Sequence, residues 1–225
     1  MFILGYLVIK FGFTNRFGGV SAGAYESLNL GEHVGDDLEK VRQNRDILRQ
    51  NLGVKKLVFM EQIHSDKVEI FKDENLPPCD GIITNLKDVA ICVMVADCMP
   101  ILVAGKNSVA AVHAGRAGIT KKILTKTLNL MAKEFSEFEF EIYVGPFIQG
   151  SCYEVNGLDL GEFNIYKNGK NFDMKKALEA EIKALKNYKF NKIEISNTCT
   201  HCNSEYFSYR RDGTTGRFCG YIYIS

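Results

Sequence analysis

Residues 89–104 read VAICVMVADCMPILVA. The two parts of this segment at residues 90–95 and 101–104 are apolar and rich in Val and Ile, which favours two strands over a helix. The uncharged run at residues 89–96 is far shorter than the roughly 20 apolar residues that cross a bilayer. We therefore predict two strands here and no membrane partner.

Further predicted elements alternate between strands and helices along the chain. Residue type and spacing predict strands at residues 1–9, 57–60, 68–71, 81–84, 109–113, 139–144, 192–196 and 220–224. Apolar residues at helical spacing predict helices at about 37–51, just after Thr120 and at about 174–187. The first helix begins with a capping-box pattern, Asp36 followed by Glu39. The predicted fold class is α/β, a single domain over residues 1–225 with a mixed β-sheet covered by helices.

Charge limits the classes of partner. The 225 residues include 28 Lys and Arg against 27 Asp and Glu, so the formal net charge is +1. A protein that binds nucleic acid by neutralising phosphates is usually basic, and we therefore predict no nucleic-acid partner. A small anionic substrate stays compatible, because one or two Arg side chains suffice to bind it.

Cysteine usage indicates a reducing compartment. The seven cysteines, at positions 79, 92, 98, 152, 199, 202 and 219, show no regular spacing of a disulfide framework. The apolar N-terminus has no preceding basic residues and no small-residue cleavage site, so it reads as a first strand rather than a signal peptide. We predict a cytoplasmic protein with reduced thiols.

Three possible metal ligands stand at predicted strand ends or beside turns. His64 lies between two predicted strands, Cys98 follows the run at 89–96, and His113 ends the strand at 109–113. Two imidazoles and a thiolate suit zinc, and three protein ligands leave a fourth position for water or substrate. Spacing alone leaves another interpretation open: two partly buried histidines and a small core cysteine, since the separations match no short zinc motif.

A series of short motifs supports the metal interpretation. In chain order they are NRFGGVS (15–21), SLNL (27–30), GD (35–36), NR (44–45), QIH (62–64), ADCMP (96–100), VHAG (112–115), GP (145–146), CYEV (152–155), CT (199–200) and FSYRRDG (207–213). This series resembles the bacterial YfiH/YlmD family, also called the laccase-domain or polyphenol-oxidase family, which includes the peptidoglycan editing factor. The resemblance runs from about residue 11 to the C-terminus.

The resemblance implies a function and a set of site residues. In that family the His, Cys and His of these motifs bind zinc, which implies that His64, Cys98 and His113 are the metal ligands and form the catalytic centre. Family members phosphorolyse adenosine, inosine and methylthioadenosine and also deaminate adenosine. We therefore expect a zinc-dependent purine nucleoside phosphorylase and adenosine deaminase, with purine nucleosides and phosphate as its small-molecule partners.

One motif departs from the family pattern. The family usually reads His-Ala-Gly-Trp-Arg-Gly where this chain reads HAGRAG at residues 113–118. The aromatic residue is missing and the Arg lies one position earlier, at Arg116, so it can point elsewhere. The three implied zinc ligands are all present.

Laccase chemistry is excluded by the histidine count. A multicopper oxidase needs a trinuclear cluster held by many histidines, because imidazole is the usual copper ligand. This chain has four His in all, and His33 and His201 cannot supply such a cluster.

Several other side chains are candidates for binding substrate or phosphate. They are Arg16, Gln62, Asp97, Arg210 and Arg211. An Arg binds phosphate through its planar donor fork, although these Arg residues fit charged turns equally well. Gln62, Asp97 and Glu154 are also candidates, by position only, for protonating the leaving base, and Asp97 could instead orient a ligand His. Gly115 and Gly118 ahead of the helix near Thr120 predict backbone amides that attract an anion.

Two alternatives to the nucleoside enzyme stay open. Cys98 could be the nucleophile of a cysteine-type hydrolase or amidase acting on a peptidoglycan precursor, with His113 or His64 as its base. The protein could also bind zinc without catalysis, but two His and one Cys are one ligand short of a closed structural site.

The segment CTHC at 199–202 is a Cys-x-x-Cys with an internal His. It could be half of a second zinc site or a redox pair. No partner pair with metal spacing follows it, so we predict reduced thiols near a strand end.

Overall fold

The computed structural model describes residues 8–225 of the chain. Its strands are β1 (Ile9–Phe13), β2 (Lys56–Phe59), β3 (Val68–Ile70), β4 (Gly81–Thr84), β5 (Val89–Val95), β6 (Met99–Ala104), β7 (Val109–Ala114), β8 (Glu139–Val144), β9 (Lys167–Asn168), β10 (Asn171–Phe172), β11 (Lys189–Ile195) and β12 (Phe218–Ile224). Its α-helices are α1 (Leu38–Leu52), α2 (Arg116–Thr120), α3 (Ile123–Phe135), α4 (Met174–Ala184) and α5 (Tyr209–Asp212). Residues 1–7 of the predicted first strand lie outside the described residues.

The strands form two mixed sheets, apart from the short β9–β10 pair. One sheet has the order β11-β8-β6-β7-β4-β3 and the other the order β1-β12-β5-β2. In the larger sheet β11 runs parallel to β8 and β3 parallel to β4, and in the smaller one β2 runs parallel to β5. The predicted α/β class is confirmed, but the strands divide between two sheets. The chain turns at residues 96–98, which separates β5 from β6.

The two sheets share a core. Along β5, Ile91 and Val93 belong to the buried cluster that also contains residues of the larger sheet. Cys92 and Met94, on the opposite face of the strand, pack with Leu48 of α1. The alternation follows the period of two of a strand, so α1 covers the outer face of the smaller sheet.

Helices α3 and α4 cover the outer face of the larger sheet. Leu124 and Leu128 of α3 and Leu178 of α4 share one buried cluster with Ile101 and Val103 of β6. The layers therefore follow the order helix, sheet, sheet, helices. Within residues 8–225, no helix combines the length and apolar character needed to cross a membrane.

The structure corrects the predicted start of the first helix. The N-cap of α1 is Asp37, whose side chain accepts a hydrogen bond from the backbone N–H of Glu39 at 2.9 Å. Asp36, the predicted cap, accepts hydrogen bonds from Ser21 Oγ at 2.6 Å and from Asn29 Nδ2 at 2.9 Å. Asp36 thus fixes the preceding loop, while its neighbour caps the helix.

The predicted helix after Thr120 is confirmed as α3, which starts at Ile123 after Lys122, whose φ of 55° is in the left-handed region. The short helix α2, which the sequence analysis did not predict, precedes it. Gly118 lies inside α2, whereas Gly115 is its N-cap residue. Farther along, α4 ends and β11 starts a few residues earlier than predicted.

Asn44 fastens the loop at residues 19–30 to α1. This fully buried side chain donates from Nδ2 to Ser21 Oγ and to the carbonyls of Ser27 and Asn29, at 2.9 to 3.1 Å. Its Oδ1 accepts from the N–H of Val20 at 2.8 Å. One amide therefore satisfies the polar groups of a loop that has little regular structure of its own.

Asn44→Ala should lower the free energy of unfolding by about 3 kcal/mol, because it leaves several buried polar groups of the loop without a hydrogen-bond partner. Gln43→Ala is the matched control, since Gln43 is exposed on the same helix and should change stability by less than about 0.5 kcal/mol. Urea unfolding measures both. Equal effects of the two substitutions would contradict the role given to Asn44.

Candidate functional site

His64, Cys98 and His113 come together at one edge of the two sheets. One donor atom of each lies within 4.8 Å of the others. Cys98 is in the turn between β5 and β6, and His113 of β7 pairs with Pro100 of β6. His64 lies in the loop between β2 and β3 with a left-handed φ of 56°. The structure thus places the three predicted ligands in one cluster.

A buried carboxylate that the sequence analysis did not single out orients this cluster. Asp80 is fully buried, and its Oδ1 accepts a hydrogen bond from Nδ1 of His113 at 2.8 Å. The same carboxylate accepts from the N–H of His64 at 3.0 Å and from the N–H and Oγ of Ser65 at 2.6 and 2.7 Å. These bonds leave Nε2 of His113 as the ring nitrogen available to a metal, a common arrangement for zinc ligands.

The orienting role does not belong to Asp97. That side chain accepts hydrogen bonds from Thr200 Oγ1 at 2.7 Å and from the N–H of Arg210 at 2.6 Å. It holds a neighbouring loop rather than a ligand His, so this predicted role is wrong. The sequence feature that could have identified Asp80 is its position. It is the charged residue in an otherwise uncharged, largely apolar run just ahead of β4.

Electrostatics favour a thiolate beside an imidazolium. Burial opposes ionisation of Cys98, but His113 and then His64 outweigh it and lower the pKa of the thiol to about 6. Burial lowers the pKa of His113, but the charges and hydrogen bonds of Cys98 and Asp80 outweigh it and raise this pKa to about 9. The thiolate is the form of cysteine that binds a metal, and His113 would release a proton to do so, because a metal-bound imidazole is neutral. Two imidazoles with a thiolate are donor types that zinc prefers.

Gly115 leaves space beside the sulfur of Cys98. A Cβ at Gly115 would lie 2.8 Å from Cys98 Sγ and 3.7 Å from His64 Cδ2. Glycine at this position keeps the backbone close to the cluster without crowding the sulfur.

A cavity of about 380 Å³ opens over the cluster. This volume is within the range of pockets that bind small molecules. Besides His64, Cys98 and His113, its polar lining includes His33, Gln62, Asp97, Tyr153, Tyr209, Arg210 and Arg217.

Of the three arginines predicted to bind phosphate, one lines the cavity. Arg210 lines it, lies over the ring of Tyr153 at 5.4 Å and donates from Nη1 to the carbonyl of Glu154 at 2.9 Å. Arg211 donates to the carbonyls of four loop residues and pairs with Asp212, so it holds the loop together. Arg16 lies over the ring of Phe207, outside the cavity lining.

The predicted proton donors are not well placed. Gln62 lines the cavity, but its amide donates to the carbonyl of Met94 and accepts from the N–H of Met94, both at 2.8 Å. Asp97 is engaged as described above. Glu154 is exposed, outside the cavity lining, and pairs with Lys170 at 3.9 Å.

Two further cavity residues were missed as candidates for binding. Arg217 donates from Nη1 to the carbonyls of Thr215 and Gly216 at 3.0 and 2.9 Å, which leaves other N–H groups of its guanidinium to a ligand. Burial lowers the pKa of His33, and the charges of Arg217 and Arg45 lower it further, so this imidazole is neutral at pH 7. Arg217 and His33 lie a few residues outside the motifs of the sequence analysis, and only the fold brings these two side chains to the cavity.

Arg116, the residue that departs from the family pattern, lies near the hydroxyl of Tyr153. Burial raises the pKa of this phenol, and the positive charge of Arg116 partly opposes that effect. Arg116 therefore affects the cavity wall through its interaction with Tyr153.

Asp80→Asn should weaken metal retention about 10- to 100-fold, because the amide no longer stabilises a correctly oriented His113. Competition with a chromophoric chelator measures the affinity. Asp66→Asn, a nearby carboxylate paired with surface lysines, is the matched control and should retain metal as the unmodified protein does. Equal retention in all three proteins would contradict the assignment.

Known proteins resemble this chain over nearly its whole length. Residues 10–225 match the family model described as "Multi-copper polyphenol oxidoreductase laccase". A protein of Streptomyces coelicolor named purine nucleoside phosphorylase is 34% identical over 95% of each chain. A protein of the same name from Aquifex aeolicus is 37% identical, covering 88% of this chain and 94% of its own.

A solved structure shares the fold. YlmD from Geobacillus stearothermophilus matches with a TM-score of 0.87 and 28% identity, over 95% of this chain and 91% of its own. The resemblance expected from the sequence motifs is thereby confirmed. The chain belongs to the laccase-domain family, the family whose model is described as multi-copper polyphenol oxidoreductase laccase.

Proposed function

We propose that this protein is a zinc-dependent purine nucleoside phosphorylase that also deaminates adenosine, with adenosine, inosine and methylthioadenosine as substrates. The observation that carries the proposal is one cavity with three metal-ligand side chains at its base and Arg210 and Arg217 in its wall. The names of the relatives from Streptomyces coelicolor and Aquifex aeolicus support the phosphorylase activity.

His64, Cys98 and His113 would hold the zinc ion. When bound, zinc supplies Lewis-acid chemistry, polarising an oxygen of the substrate or of water. Asp80 keeps the ring of His113 in one orientation through their 2.8 Å hydrogen bond. Without metal, His113 and His64 lower the pKa of Cys98 to about 6 and so favour the thiolate, the form of the sulfur that binds a metal ion.

Phosphate would bind to the arginines of the cavity wall. A guanidinium offers five N–H donors in a planar fork that matches two phosphate oxygens. Arg210 and Arg217 each use one terminal nitrogen on backbone carbonyls, and these bonds fix their direction. Phosphate binding depends on this local positive charge, because the chain as a whole has a net charge of only +1 and so attracts anions weakly.

The aromatic side chains of the lining suit a purine base. Tyr153 and Tyr209 offer ring faces for stacking, and each has a hydroxyl for a hydrogen bond. Departure of the base in phosphorolysis requires a donor that stabilises its growing negative charge. His33, neutral and in the same lining, can donate an N–H to that base.

Phosphorolysis and deamination should respond differently to phosphate. With adenosine as substrate, adenine and ribose 1-phosphate should form only when phosphate is present, because phosphate is the attacking group. Inosine and the hypoxanthine that phosphorolysis makes from it should together form at the same initial rate with or without phosphate, because deamination consumes water. Chromatography of the products measures both reactions.

Three results would contradict the proposal. Adenine released equally fast in phosphate-free buffer would show hydrolysis instead of phosphorolysis. A lack of both inosine and hypoxanthine would show that the protein does not deaminate adenosine. Adenosine left intact under all conditions would reject the purine nucleoside function itself.

Arg210→Lys and Arg217→Lys should each raise the KM for phosphate about tenfold, because a point charge replaces a two-donor fork. Deamination should keep at least half of its rate in both variants. Arg42→Lys, an exposed position on α1, is the matched control and should leave both reactions unchanged. An unchanged phosphate KM in both cavity variants would contradict the assigned phosphate site.

One observation favours a second candidate function. Asp80, His113 and Cys98 form a chain of carboxylate, imidazole and low-pKa thiol, the arrangement of a cysteine hydrolase or amidase. Such an enzyme would cleave an amide of a peptidoglycan precursor without metal. Activity of metal-free protein that is abolished by alkylation of Cys98 would favour this second function over the first.

A further inference from the structure

A second group of soft ligands lies outside the cavity. Cys152, in the loop after β8, lies with His201 and Cys202, in the loop after β11, and one donor atom of each is within 4.8 Å of the others. The Sγ atoms of Cys152 and Cys202 are 3.4 Å apart, although these residues are 50 positions apart in the chain. Cys202 Sγ is 3.9 Å from Nδ1 of His201.

These separations are close to those around one tetrahedral zinc ion. With Zn–S bonds of about 2.3 Å, two thiolates on the same ion lie about 3.8 Å apart. With Zn–N bonds of about 2.1 Å, a thiolate and an imidazole nitrogen lie about 3.6 Å apart. Small rotations of the partly exposed Cys152 and His201 side chains are sufficient to reach these distances.

Cys199 lies beside these three residues, although its sulfur is not within 4.8 Å of all three of their donor atoms. Its thiol interacts with that of Cys202, and its sulfur accepts the N–H of Gln149 at 3.4 Å. Burial opposes ionisation of Cys199, but this N–H and those of His201 and Cys202 outweigh it and lower the pKa of the thiol. Three cysteines and one histidine, two of the cysteines in a Cys-x-x-Cys segment, are a common ligand set of structural zinc sites.

We propose that Cys152, Cys199, His201 and Cys202 form a second zinc site, separate from the centre at His64, Cys98 and His113. With the side chain of Cys199 turned toward the other three, four protein ligands would complete a tetrahedron and leave no open position, so this zinc would be structural. On binding, the cysteine thiols release their protons to the solvent and the imidazole is neutral. The sequence analysis considered Cys199 and Cys202 as half of such a site but predicted reduced thiols, because the third cysteine belongs to a distant loop.

The second site would join the two loops that form part of the cavity wall. Tyr153, which lines the cavity, follows Cys152 directly. On the other loop, Thr200 donates from Oγ1 to Asp97, the neighbour of Cys98. A metal ion that links these loops would limit their movement and keep both cavity contacts in place. This inference does not depend on which reaction the first centre performs.

Zinc content of three proteins tests the proposal. Each protein is stripped of metal, saturated with zinc under anaerobic conditions and desalted. Elemental mass spectrometry then measures its zinc content. The unmodified chain should retain about two zinc ions, His64→Ala about one, and the double variant with Cys152→Ala and Cys202→Ala about one. Cys92→Ala, at a buried cysteine of another layer, is the control and should retain about two.

Cobalt spectra show which ligands hold each ion, and they use proteins that keep one site each. His64→Ala loaded with cobalt should show a stronger thiolate charge-transfer band than the loaded double variant, because three thiolates replace one. The spectrum of the unmodified chain should contain the band of His64→Ala, and subtracting the His64→Ala spectrum from it should leave the weaker band of a site with one thiolate. This comparison does not need the double variant to fold.

Several results would overturn the proposal. One zinc ion in the unmodified chain, lost completely in His64→Ala, would show that the second group binds no metal. A cobalt band of one thiolate in the unmodified chain would show the same. Loss of two free thiols, with a disulfide between Cys152 and Cys202 in the peptide map of anaerobically prepared protein, would show that the pair is oxidised rather than metal-binding.

Discussion

The buried carboxylate of Asp80 is the interaction on which the candidate centre depends. Its oxygens accept hydrogen bonds from the ring of His113 and from the backbone of His64 and Ser65, and its own carbonyl accepts the N–H of His113 at 2.7 Å. Burial alone raises the pKa of a carboxyl, but the bonds from His113 and Ser65 lower that of Asp80 to about 2. A buried charge persists only with such partners, so one carboxylate fixes two segments relative to each other.

The passage of the chain from one sheet to the other brings Cys98 to the same place. The turn between β5 and β6 includes Asp97, whose φ of 106° is unusual for a residue with a side chain. Thr200 Oγ1 and the N–H of Arg210 bond to its carboxylate and stabilise this backbone. Strain of this kind is maintained where the surroundings fix it, and it often accompanies a functional site. The turn therefore links the fold directly to the position of the thiol.

Charge in this protein is placed locally rather than spread over a surface. The balanced composition offers no broad attraction for anions. The cavity instead places Arg210 and Arg217 in the wall over the cluster, each directed by backbone carbonyls. The loop between β11 and β12, which includes the short helix α5, carries Arg210 as well as Cys199, His201 and Cys202, whereas Cys152 belongs to the loop after β8. Rigidity of the loop between β11 and β12 is thus a common requirement of the cavity and the second site.

The sequence by itself determined the α/β class, most of the elements to within a few residues, and the candidate metal ligands His64, Cys98 and His113, because periodicity and motifs are local properties. Only the tertiary structure separated β5 and β6 into two sheets, since both strands are equally apolar. It also decided that Asp80 and not Asp97 orients a histidine, and that Cys152 lies beside Cys202. Those pairings join residues far apart in the chain, and a side chain's partner there depends on how strands and loops pack.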